Sequence, residues 1–197
     1  MTTQVTGSGV NFNGSTSGTI LLTQPAVAGT NTITLPAETG TARTTVSSGT
    51  VLQVVNYQTG ALATGTSTIP IDDTIPQNTE GDQVMSLAIT PLSATSRIKV
   101  DVVLYGSTST ATAWVTAALF QDSVASALMA GTANSNFSGE ICHVSFTHYQ
   151  ASVGTTLITF KVRAATTAGT LSFNGYLGGR IFGGVMGSSI TITEVVP

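Results

Sequence analysis

The run Arg97-Ile-Lys-Val-Asp-Val-Val-Leu-Tyr105 constrains this chain more than any other stretch. Ile98, Val100, Val102 and Leu104 take alternate positions, and Arg97, Lys99, Asp101 and Tyr105 stand between them. Successive side chains of a strand point to opposite faces, so period two places one apolar row in a core and leaves the other row wet. A helix would scatter the same apolar set around its circumference. Similar runs recur at 85–92, 140–149, 155–163, 170–176 and 188–196. No convincing helical pattern competes with them. Eight or so strands at short spacing predict an all-β fold, an antiparallel β-sandwich or jelly roll.

Two runs depart from clean alternation. Val51–Tyr57 and Ala111–Gln121 are apolar on both faces, as expected of strands covered on both sides, and they are the candidates for a subunit interface. Between Gly60 and Gln83 the chain is polar and carries Ile69-Pro-Ile71 and Ile75-Pro76. Proline cannot donate to a ladder, so edge or loop segments are expected there. Ala125–Ala130 is apolar but too short to distinguish helix from strand. In the later runs Ile158, Phe160 and Val162 share one face, and Ile190 and Ile192 are expected to point inward.

Only 8% of the 197 residues are charged, against roughly 25% in an ordinary soluble domain. Lys and Arg total 6 and are scattered, which argues against a nucleic-acid partner. A net charge of −3 gives little protection against association, so an oligomer is expected. The single cysteine, Cys142, excludes an intrachain disulfide framework. The opening Met1–Gly7 has neither a basic start nor an apolar run, so no secretory leader is expected. No stretch approaches the roughly 20 apolar residues of a membrane helix.

The first 37 residues hold no charged side chain. Met1–Ser17 reads as an arm that orders only against a partner. A short repeat follows: Pro25-Ala-Val-Ala-Gly-Thr30 returns as Pro36-Ala-Glu-Thr-Gly-Thr41, each copy preceded by a β-prone piece, Thr19–Thr23 and then Thr32–Leu35. Proline and glycine punctuate each unit as strand then turn. Two such units bury almost nothing alone, but wound with identical copies they would make a short shaft or anchor, a reading favoured over an irregular linker with two chance turns. We therefore divide the chain into an arm and β-repeat, 1–48, and a head, 49–197.

Candidate chemistry is sparse. Cys142, His143 and His148 invite a metal or catalytic reading, but on one strand His143 and His148 face opposite sides. Cys142 and His148 share a face yet lie roughly 20 Å apart at strand rise, too far to hold one ion. The simpler expectation puts Cys142 in the core, His143 outside and His148 near a strand end. Asp72, Asp73, Glu80 and Asp82 form the densest acidic group, but their spacing does not match an EF-hand loop, and a solvated acidic loop is favoured over a cation site. Gly178-Gly-Arg-Ile-Phe-Gly-Gly184 lacks the Lys-Ser/Thr of a phosphate loop and reads as a turn, with Arg180 and Phe182 either displayed for contact or packed locally. Tyr57, Tyr105, Tyr149 and Tyr176 would suit a glycan surface or ordinary strand packing. No catalytic, cofactor-binding or metal-ligating residue is assigned, and no cofactor is expected.

Thr19–Thr41 resembles a segment common in small tail-fibre and virion-surface proteins of tailed bacteriophages. Gly49-Thr-Val-Leu-Gln-Val-Val55 and Ser189-Ile-Thr-Ile-Thr-Glu194 resemble the first and last strands of the head domain that often follows it, a trimeric jelly roll similar to the tumour-necrosis-factor and complement-head kind. In outline the resemblance spans nearly the whole chain. It implies a homotrimer without enzyme activity on the virion exterior, assembled in the host cytoplasm, bound through its arm to other virion proteins and touching a host-surface glycan or protein. With only two repeat units, a short fibre tip or spike fits, and so does a capsid-decoration or head-fibre protein. Other readings from the residues are a carbohydrate-binding module and a hydrolase on the same scaffold.

Overall fold

The computed structural model describes residues 10–13, 19–22 and 47–197. The chain divides into two units, Met1–Thr44 and Thr45–Pro197. In the first, β1 (Val10–Asn13) pairs antiparallel with β2 (Thr19–Leu22). Part of the stretch read as an arm that needs a partner is thus a strand paired within its own chain. The second β-prone piece, Thr32–Leu35, and both Pro-to-Thr turns lie outside the described residues.

The second unit is built on β6 (Arg97–Thr108). Its inward row, Ile98, Val100, Val102 and Leu104, is fully buried. Along one edge it pairs with β9 (Ile141–Ala151) over nearly its whole length. Along the other it pairs first with β14 (Ser188–Val195) and then with the short β11 (Leu171–Phe173). Beyond β14 lies β3 (Val51–Thr59), and beyond β11 lies β4 (Ala63–Gly65). The facing sheet runs β5 (Asp82–Ile89), β10 (Ile158–Thr166), β7 (Ala113–Gln121), β8 (Met129–Ser135). A small hairpin, β12 (Gly175–Tyr176) with β13 (Gly179–Arg180), sits in the last long connection.

The eight long strands therefore form two antiparallel four-strand layers, β3-β14-β6-β9 and β5-β10-β7-β8, with first and last strands adjacent. That is the strand order of a jelly roll. Each layer contributes one apolar row to the core: Val100, Val102, Ile190 and Ile192 from one, Val115, Leu119, Phe160 and Val162 from the other. Burying one such side chain contributes about 1.5–3 kcal/mol, which is why the alternation is strict where both layers meet.

Val51–Tyr57 is not covered on both sides by its own chain. It lies in β3, whose ladder partner among the described residues is β14, and Val54 remains 56% exposed on the outer face. From Val115 on, the Ala111–Gln121 run is covered on both sides by its own chain. Val115, Ala117 and Leu119 enter the main core, while Ala118 and Phe120 lie under Ile69 together with Ala165. Ile69, followed by Pro70, thus covers the Ala118–Phe120 end of the outer face of β7, while Trp114 on the same face stays 39% exposed. Within 125–130, Met129 and Ala130 begin β8, a strand of small residues.

The register also sets two poles. Gly49 N–H donates to the Val196 carbonyl at 2.8 Å and Val196 N–H to the Thr50 carbonyl at 2.9 Å, so the beginning of β3 and the end of β14 meet at one pole. At the other, loops 109–112, 136–140 and 167–187 converge. Gly139 N–H donates to the Thr108 carbonyl, Ser138 Oγ to the Ser109 carbonyl, and Thr170 N–H to Ser109 Oγ.

Candidate functional site

Alternation along β9 decides the fate of its cysteine and histidines. Cys142 points into the core, and its thiol donates weakly to the Asn134 carbonyl at 3.7 Å. Burial pushes the thiol pKa up, the nearby Glu140 charge adds to the rise, and Ser135 opposes it only in part. His143 faces outward and stacks on Tyr105, its register partner on β6, at 4.8 Å between ring centres. His148 shares the inward face with Cys142 but lies six residues away. It bonds Gln150 at 3.3 Å, and Gln150 in turn donates to Gln121 at 2.9 Å. Strand geometry keeps the three apart.

The acidic group does not converge either. Asp72 closes a local turn by accepting from the backbone and hydroxyl of Thr74, which holds its carboxyl below the usual range. Asp73 is exposed. Glu80 accepts from Gln77 N–H at 3.0 Å. Asp82 accepts from Ser67 Oγ at 2.8 Å, and its other oxygen is buried without a hydrogen-bond partner against Gly65. Arg163 ties the loop down by donating to the Glu80 and Gly81 carbonyls, both at 2.7 Å. Among the described residues no three His, Cys, Asp or Glu side chains come together as a metal site.

What the fold does assemble is an exposed apolar surface at the pole where the loops meet. The Gly178–Gly184 stretch is a hairpin arm and a turn, as its glycines suggest. Yet two bulky residues, Leu177 and Phe182, also adopt left-handed backbone, with φ of 45° and 49°. Such a conformation costs a residue with a Cβ roughly 1–2 kcal/mol. Phe182 is nevertheless 73% exposed, and Val185 beside it is exposed as well. Between this turn and the sheet runs an open groove of about 630 Å³, lined by Gln58, Tyr105, Ile141, Phe182, Val185 and Met186 among others. Arg180 sits on β13, exposed, its side chain lying against Gly184.

A buried polar network braces this loop. Ser188 Oγ donates to Asn174 Oδ1 at 2.6 Å and accepts from Tyr105 N–H at 2.9 Å, while Asn174 Nδ2 donates to the Thr59 carbonyl at 2.8 Å. Sequence reasoning passed over it, because Ser and Asn are abundant throughout the chain.

The four tyrosines do not share one platform. Tyr105 and Tyr149 are on the outer face of one sheet but six residues apart along β6, opposite His143 and Lys99 respectively. Tyr57 lies on the inward side of edge strand β3, opposite Ile190, and Tyr176 is on the hairpin over Gly139. Around Tyr105 that outer sheet face is nearly uncharged. Its ion pair is Lys99 with Asp101 at 2.7 Å, and the neighbouring positions are Thr147, Ser145, Thr191 and Ser189.

The groove is lined mostly by aromatic and aliphatic side chains, with Gln58 as a polar member. Among the described residues no helix is long and apolar enough to cross a membrane.

No known protein family matches the chain, and no curated protein matches it. Among solved structures, 91% of the chain is similar to 42% of a chain in the T13 particle of infectious bursal disease virus, at 16% identity and a TM-score of 0.37. A second similarity, to the Gx strain of that virus, covers 90% of this chain and 43% of the other at 14% identity and a TM-score of 0.36. A third, to its VP2 subviral particle, covers 91% and 47% at 14% identity and a TM-score of 0.33. The chain thus spans less than half of the chains it matches. These likenesses are distant, and the jelly-roll assignment rests on the strand order itself.

Proposed function

We propose that this chain is a non-enzymatic structural protein of a tailed-bacteriophage virion. In this reading it is a homotrimeric short fibre or spike, joined to other virion proteins through residues 1–48 and displaying the head, 49–197, for attachment to a host surface. The observation that carries it is a complete eight-strand jelly roll whose converging loops present apolar contact residues and no catalytic set among the described residues. Jelly rolls recur in viral capsid and lectin domains, but a fold alone does not name a function. The Thr19–Thr41 segment, with its resemblance to phage virion-surface proteins, supplies the second support. Mass spectrometry and immunogold labelling of purified particles test the proposal. Gold on the particle exterior is the expected result, and a protein confined to infected cells and absent from virions overturns it. Sedimentation equilibrium tests the trimer, which a single-chain mass at working concentration rejects.

The presence of only two repeat units favours a second reading, a capsid-decoration or head-fibre protein. Particles lacking the protein separate the two. Lost adsorption supports the attachment role, whereas normal adsorption with heat-labile capsids supports decoration.

A further inference from the structure

Glu194 is fully buried, on the inward row of β14 with Ile190 and Ile192. Its carboxylate is held by donors from two other segments. From the β5–β6 turn come Leu92 N–H at 2.9 Å, Ser93 N–H at 3.0 Å and Ser96 Oγ at 2.6 Å. From edge strand β3 comes Gln53 Nε2 at 2.6 Å, which also donates to the Thr90 carbonyl at 2.8 Å. The β3–β14 register shifts at this point, so that Gln53 opposes Glu194 while Val51 opposes Val195. One residue further on, Val196 makes the backbone bonds to Gly49 and Thr50 that close the pole. A single carboxylate therefore ties together the last strand, the β5–β6 turn and the root of the first strand.

We propose that Glu194 is an acid-sensitive latch: the ionised carboxylate holds the β5–β6 turn and the root of β3 onto β14, and its protonation releases them locally while the sandwich core stays folded. Every donor around it serves the ionised form. A protonated carboxyl keeps fewer acceptor positions and presents an O–H to a site already full of N–H and O–H donors. Among the described residues no second ionisable side chain faces it. β3 offers Gln53, whose amide also donates to the Thr90 carbonyl just after β5; the turn offers Leu92, Ser93 and Ser96, and β6 offers Ile98. On the neighbouring strand β6, Arg97 opposite Val195 is exposed, and Lys99 is paired with Asp101.

The sign follows from the surroundings. Burial alone raises the pKa of Glu194, but the bonds from Leu92, Ser96, Gln53 and Ser93 outweigh it and bring the pKa below 4.5, the ordinary glutamate value. A depressed pKa in the latched form means full holding above that ordinary value. Local opening then rises about tenfold per pH unit below it and levels off once the pH passes the lowered value.

Hydrogen–deuterium exchange of the full chain, corrected for intrinsic rates, tests this at residues 49–55 and 90–96. The wild type should show protection above pH 5 and an acid-driven rise confined to these segments, with β7 and β10 still protected. Glu194→Gln should be more open there at neutral pH and lose the acid dependence. Ser96→Ala keeps the carboxylate but removes one donor, so its neutral-pH opening should be greater and its acid-driven rise smaller. The proposal is overturned if the wild-type segments stay protected in acid, if they open only together with β7 and β10, or if Ser96→Ala shows the wild-type rise. Should Glu194→Gln not fold, the Ser96→Ala comparison decides alone.

Discussion

Ile69 lies over Phe120 and covers that end of the outer face of β7, although 51 positions separate them in the chain. Ile69 is 1% exposed, held between an exposed Pro70 and a polar stretch. One aliphatic side chain thus helps keep Ala118 and Phe120 of β7 from water. Ile69→Ser should cost about 2–3 kcal/mol, toward the low end of core truncations because a loop can partly collapse. It should also increase binding of a hydrophobic dye in the native state. Urea titration and dye fluorescence check both; an unchanged midpoint would show that Phe120 is covered by something else.

Val102 and Val103 are neighbours on β6 that face opposite ways, the first buried and the second on the outer face. The same isosteric change therefore separates the two faces. Val102→Thr puts a hydroxyl in a dry core and should cost about 1–3 kcal/mol. Val103→Thr should stay within about 0.5 kcal/mol of the wild type. Paired chemical denaturation curves give the comparison directly.

Phe182 holds a left-handed backbone while exposing its ring. Phe182→Gly removes a conformational cost of about 1–2 kcal/mol and adds back about 0.5–1 kcal/mol of unfolded-chain entropy. The variant should therefore be more stable by about 0.5–1 kcal/mol, read as a higher melting temperature. If the loop surface makes the attachment contact, the same variant should bind its target less well, so stability and binding would move in opposite directions.

Cys142 is buried and its thiol pKa is raised, so little thiolate reaches solvent. Alkylation of the native protein at neutral pH should be slower than in urea by on the order of a hundredfold or more, which corresponds to about 3 kcal/mol of opening free energy. Equal rates in the two conditions would place the sulfur at the surface.

The parts of this fold legible in the sequence are those where burial acts on one face only. Ile98 to Leu104, Ile158 to Val162 and Ile190 to Ile192 alternate because each strand lies between a core and solvent. β8 was not legible, since Ala130, Gly131, Thr132 and Ala133 give no contrast between faces. β3 looked covered because valines stand on both its sides, yet an edge strand with Val54 exposed has the same letters. Ile69 could be read as loop from its prolines, but a local signal does not say which sheet a loop will cross. Glu194 was within reach: it continues the parity of Ile190 and Ile192, and an acid on an apolar row calls for partners. Those partners come from residues 53 and 92–96, a distance in sequence that no pattern spans. The loop surface was visible only as the isolated Arg180 and Phe182, because the groove beside them needs Tyr105 and Ile141 from strands far away in the chain.

The meeting of residues 49–50 with Val196 has a mechanical consequence. Tension applied across those two ends would peel β3 from β14 like a zipper, breaking one rung at a time from Val51 and Val195 inward. A load carried instead from residue 47 to the loops at the far pole runs along the strands, so the same rungs are sheared together and resist as a set. The head is thus soft to being pulled open at its base and stiff to being towed by its tip.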